Sequence, residues 1–136
     1  VIVDEFQHRV YENPEMTPAG RNAVWNELEK KYRPYMNADG MRYFEKGTRW
    51  QYQMHIYESP FYYIDYCLAQ SDALQFLFKS LDDYSAAFAS YLEFTSHYGS
   101  QFFTDMLGEA GIRSPFEKGA LKDIAAKSEE ILNKLK

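Results

Sequence analysis

The stretch Ser59-Pro60-Phe61-Tyr62-Tyr63-Ile64-Asp65-Tyr66-Cys67-Leu68-Ala69-Gln70-Ser71-Asp72-Ala73-Leu74-Gln75-Phe76-Leu77 decides the fold class. Ser-Pro reads as an N-cap followed by proline at the first helical position. Apolar residues then fall on nearly every helical face, the pattern of a helix buried all round. Tyr and Phe favour strands by propensity, but the 3.6 spacing and the caps outweigh that preference. A chain of 136 residues has too little mass to cover all sides of such a helix, so the pattern implies a further covering surface.

Working outward, the neighbouring segments read as helices with clear punctuation. Upstream, Val3, Phe6, Val10 and Tyr11 set a helical period over Val1 to Asn13, which stops at Asn13-Pro14 and has no visible N-cap. Thr17-Pro18 opens a second helix that Pro34 ends near Arg33, with Val24, Trp25, Leu28 and Tyr32 as its stripe. Residues 35–47 read as a loop with room for a short hairpin, and Thr48 to Tyr57 as a helix. Downstream, Asp82 or Asp83 caps a helix to about Tyr98, and another runs from Ser100 to about Ala110 before Gly111. Ser114-Pro115-Phe116-Glu117 has the form of a capping box, and a last amphipathic helix spans roughly Leu121 to Leu135. The expectation is an all-α chain of about seven helices, residues 1–136 forming one helical unit.

Composition narrows the function. Twenty acidic against fifteen basic residues give a net charge of -5, which excludes binding driven by neutralising nucleic-acid phosphates. No run of 18 apolar residues is present, so no membrane span is expected, and no secretory signal is visible. The single cysteine, Cys67, cannot form an internal disulfide and fits a reducing, cytoplasmic setting. Twenty-four aromatic residues, twelve of them Tyr, bring many hydroxyls that need partners when buried, as in a polar-lined cleft or a covered surface.

The sharpest chemical cluster lies at the head of the deciding stretch. Tyr62 and Tyr66 are four residues apart and share a helical face, and His55 lies across the Ser59-Pro60 corner. Imidazole and phenol donors at one point hold a peptide carbonyl or stabilise an oxyanion. Packing of the same rings in a core explains the residue types at least as well. Glu5-Phe6-Gln7-His8 is a Glu-x-x-His motif, half of a helical metal-bundle pattern, with no second copy. Glu93 lies four residues before His97, a spacing that a solvated helix pair explains as well as a ligand pair does, and Cys67 reads as a small buried hydrophobe. His-Glu-x-x-His, a glycine-rich phosphate loop and Gly-x-Ser-x-Gly are all absent from the sequence.

Three segments carry a family resemblance: Val3 to Pro14, His55 to Tyr66, and Gly111 to Phe116. In order and spacing they resemble the oligoendopeptidase F family of zinc metallopeptidases, and the likeness covers nearly the whole chain. The resemblance implies the multi-helix C-terminal portion of a zincin-like peptidase catalytic domain, from a two-lobed enzyme that cuts oligopeptides in a deep channel. Zinc would be held by a His-Glu-x-x-His helix and a downstream Glu in the remaining N-terminal part, with none on this chain. The resemblance matches Tyr66 and Tyr62 to catalytic donors opposite the metal and His55 to substrate binding. Tyr63 is an ambiguous addition to the substrate-binding residues, because related thimet-type peptidases space their tyrosines slightly differently. The chain alone is then expected to be inactive and to self-associate through apolar surface. The rival expectations are a stand-alone helical binding module and a metal bundle built on Glu5 and His8.

Overall fold

The computed structural model describes residues 1–135. Every regular element among them is helical: eight α-helices and two 3-10 turns. The chain divides into two compact units, Val1–Cys67 and Leu68–Lys136.

The first unit is built on α1 (Ile2–Tyr11) and α2 (Pro18–Tyr32). Thr17 caps α2 as its sequence implies, accepting a hydrogen bond from Gly20 N at 3.1 Å, with Pro18 at the first position. Ile2, Val3 and Phe6 of α1 form a core with Trp25 and Leu28 of α2 and with Trp50, all buried. The Phe6 ring meets Trp25 edge-on at 5.2 Å and lies 5.2 Å from Trp50, geometry that adds to simple burial. Residues 35–47 contain no hairpin; they hold the one-turn helix α3 (Arg42–Glu45). Gly47 closes this loop against α2 at a φ of +69°, where a Cβ would sit 2.2 Å from the Asn22 carbonyl oxygen. Asn26 on α2 donates to the Glu45 carbonyl beside it.

The helix expected over Thr48 to Tyr57 is two pieces, a 3-10 turn at Arg49–Tyr52 and α4 at Met54–Glu58. Buried Trp50 anchors the tighter turn, its indole N–H donating to Asn22 Oδ1 at 2.9 Å. The helix expected from Pro60 also differs. A 3-10 turn at Tyr62–Ile64 comes first, and α5 runs from Asp65 to Asp82.

The second unit contains the rest of α5, then α6 (Tyr84–Ser96), α7 (Phe103–Glu109) and α8 (Ala120–Lys134). Asp83, not Asp82, caps α6, accepting from Ala86 N at 3.0 Å. Leu107, Ala110 and Ile112 form the core here, flanked by Phe76 and Phe94. Gly111, at a φ of +63°, ends α7 and lets Ile112 N donate back to the Leu107 carbonyl. Lys79 and Ser90 both donate to the Ala110 carbonyl, satisfying an acceptor left over at that helix end. Gln75 holds Arg113 with both ends of its amide, donating to its carbonyl and accepting from its N–H. Ser114 and Glu117 exchange part of a capping box, Glu117 Oε1 accepting from Ser114 N at 3.3 Å. No helix follows directly, because the chain turns through left-handed Gly119 before α8 begins. The helix read as buried all round is not so covered. Only Ser71 and Asp72 of α5 are fully buried, and Leu77 and Leu81 are exposed.

Candidate functional site

The His-Tyr cluster is assembled by a corner rather than by one helix. α4 ends at Glu58, and Ser59 N donates to the His55 carbonyl. Ser59 O then accepts from Tyr62 N at 3.3 Å, closing a four-residue turn with Pro60 second and Phe61 third. Phe61 has a φ of +61° and ψ of 3°, the left-handed values that the third position of a type II turn requires. Proline suits the second position of that turn for the reason it suits a helix start: its ring fixes φ near -65°. Phe61 is the sole non-glycine residue with positive φ among the described residues.

The corner brings all four anticipated residues together. The His55 ring stacks on Tyr62 at 6.1 Å with 16° between planes, and lies 4.6 Å from the Tyr63 ring. Tyr66, in the first turn of α5, meets Tyr62 at 5.6 Å and Tyr63 at 5.4 Å, edge-on to both. The Tyr62 and Tyr66 hydroxyls are 3.4 Å apart, longer than a full O–H···O hydrogen bond, so each retains donor capacity for a third group. Tyr62 is 45% and Tyr66 55% exposed, so neither ring is core packing in this chain. Tyr63 differs: it is half-buried and packs against the Ile2–Phe6–Trp25 core. The neighbouring Tyr62 hydroxyl raises the Tyr66 phenol above its ordinary value, which keeps it a neutral donor at pH 7.

Three residues of α1 support the corner, and of these Gln7 is one to which the sequence assigned no role. Gln7, 1% exposed, accepts the Phe61 N–H on Oε1 at 3.3 Å. The Phe61 ring sits 4.7 Å from the His8 ring and 5.3 Å from the Tyr11 ring. No residue-type signal marks a Gln 54 positions from its partner.

The Glu5 and His8 pair serves other ends. Glu5 is held by Tyr32, Lys31 and Arg9, while His8 lies 3.8 Å from Asp4 and packs on Phe61. His97 contacts Glu93 at 2.9 Å and Glu109 at 3.5 Å on the second unit. Cys67 is half-buried. Among the described residues no three His, Cys, Asp or Glu side chains converge to hold a metal, so this donor set does not fit zinc. No described helix is long and apolar enough to cross a membrane. Asp72, far along α5, is a buried carboxyl whose desolvation pushes its pKa up to about 6.

The model of peptidase family M3 matches residues 1–126. The chain belongs to peptidase family M3. Solved structures agree. PZ peptidase A, solved with an inhibitor, is 46% identical over 98% of this M3 chain, with a TM-score of 0.91. A protein assigned as an oligoendopeptidase F is 45% identical over 97% of the chain, with a TM-score of 0.90. One of the same assignment from Bacillus anthracis is 37% identical over 97%, with a TM-score of 0.73. The M3 chain spans 24%, 23% and 20% of those three proteins, about a quarter or less of each. No curated protein matches it.

Proposed function

We propose that this M3 chain supplies one wall of the peptide channel of a longer zinc-dependent oligoendopeptidase, as its C-terminal part. The observation that carries this reading is the convergence of His55, Tyr62 and Tyr66 on an exposed face held by a fixed corner. Zinc and its ligands belong to the part of the enzyme outside this chain, and the chain by itself hydrolyses no peptide. As a peptide bond is attacked, negative charge gathers on the former carbonyl oxygen. Neutral phenol donors already fixed in place stabilise that charge without reorganising at the moment of reaction. Tyr66 and Tyr62 are such donors, and His55 holds the substrate backbone beside them.

The test is kinetic, in the full-length peptidase. Tyr66→Phe is expected to lower kcat by roughly 10²–10³, the scale for losing one oxyanion donor, with little change in KM. His55→Ala is expected to impair both parameters. Tyr63→Phe is expected to matter least, since the ring that packs on the core is kept. A folded Tyr66→Phe enzyme with full kcat would return the cluster to simple packing.

A further inference from the structure

We propose that Gln7 is a positioning residue for the His55–Tyr62–Tyr66 cluster, acting from α1 through the left-handed corner at Phe61; the inference rests on reading that cluster as a peptide-binding wall. A phenylalanine at a φ of +61° is strained where glycine would be free. Such strain persists only where surroundings over-determine it, and here one helix does so twice. Gln7 takes the Phe61 N–H, and His8 and Tyr11 flank the Phe61 ring. His55 enters the corner and Tyr62 leaves it, so the corner's backbone sets how the imidazole faces the two phenols. A freed Phe61 N–H would let the turn relax, and the donors would shift together relative to the substrate. Small displacements of this kind cost rate more than binding.

Gln7 Nε2 has no hydrogen-bond partner among the described residues, so the amide's contribution lies in its oxygen. That separates two replacements. Gln7→Met keeps the length and loses the acceptor. Gln7→Glu keeps the acceptor but buries a carboxyl group, which costs stability. A merely structural role predicts that activity follows stability. A positioning role predicts that the two orders cross.

The experiment measures kcat, KM and Tm on an oligopeptide substrate for the full-length peptidase and its Gln7→Met, Gln7→Leu, Gln7→Glu, Tyr66→Phe and Gln7→Met/Tyr66→Phe variants. Gln7→Met is expected to lower kcat roughly tenfold with KM within about threefold, since misplaced donors cost mainly the transition state. Gln7→Glu is expected to keep most of kcat despite the lower Tm. With Tyr66→Phe present, Gln7→Met should cost at most about twofold more, because coupled residues are not additive. Gln7→Leu, which also removes the acceptor, should lower kcat in the same way and serves if Gln7→Met does not fold. Equal losses from Gln7→Met in both backgrounds, or wild-type kcat in Gln7→Met or Gln7→Leu, would overturn the role of Gln7 alone. A silent Tyr66→Phe would instead remove the wall reading and this inference with it.

Discussion

Glu5 is the most heavily shared carboxylate of the first unit. Tyr32 donates to it at 2.5 Å, Lys31 reaches both oxygens, and Arg9 donates at 2.6 Å. The Tyr32 hydroxyl first, then Lys31, and with them Arg9 hold its pKa down to about 2, from an ordinary 4.5. A carboxylate with a lowered folded pKa adds stability that is fully present above the unfolded value. That stability is lost as pH falls through the folded value. Glu5→Gln is therefore expected to lower the thermal midpoint at neutral pH, with the gap narrowing below 4.5 and closing towards about 2. Melting curves of both chains across that range check the sign. A gap that stays constant with pH would mean that the neutral hydrogen bond, not the charge, does the stabilising. The same residue-scale logic describes the acidic half of Glu5-x-x-His8: its carboxylate already accepts from three cationic or hydroxyl donors.

Helix ends decide the elements. Thr17 and Asp83 both accept an N–H from the first turn, and each lies directly before a helix that begins where its sequence implies. Ser114 and Glu117 show the same local chemistry without a helix behind them. The difference is Arg113, which bonds Glu117, Asp123 and the Lys118 carbonyl, and so ties residues 113–118 to α8 as a loop. Capping chemistry thus licenses a helix start but does not compel one. Asp83→Ala is expected to cost about 1 kcal/mol, the usual loss of an N-cap. Asp82→Ala should cost clearly less, since Asp82 is the last residue of α5 and not the cap. Urea midpoints for the two variants give the comparison, and equal losses would count against the assigned cap.

Across the whole molecule, apolar surface is left open. Tyr84, Phe88, Tyr91 and Leu92 follow helical spacing on α6 and are exposed, as are Leu77 and Leu81 at the end of α5. The 136-residue chain is expected to be strongly helical by circular dichroism, to bind a hydrophobic dye and to self-associate in sedimentation. A dye-silent monomer would sink the reading of this surface as one that another part of the enzyme covers. Local chemistry was enough to read the all-helical class, the starts of α2 and α6 and the His55–Tyr66 cluster. Period, capping and proline act within a few residues, and the cluster's members lie within twelve positions of sequence. The segment Ser59-Pro60 shows where local reading ends. Proline near -65° fits a helix start and a turn equally, and the sequence implied the helix. The turn was selected by Gln7, 54 residues away, taking the Phe61 N–H, and by His8 and Tyr11 against its ring. Exposure was likewise a tertiary matter. An apolar pattern states only what must be covered, and the packed chain leaves Tyr62 and Tyr66 open while Tyr63 joins the core.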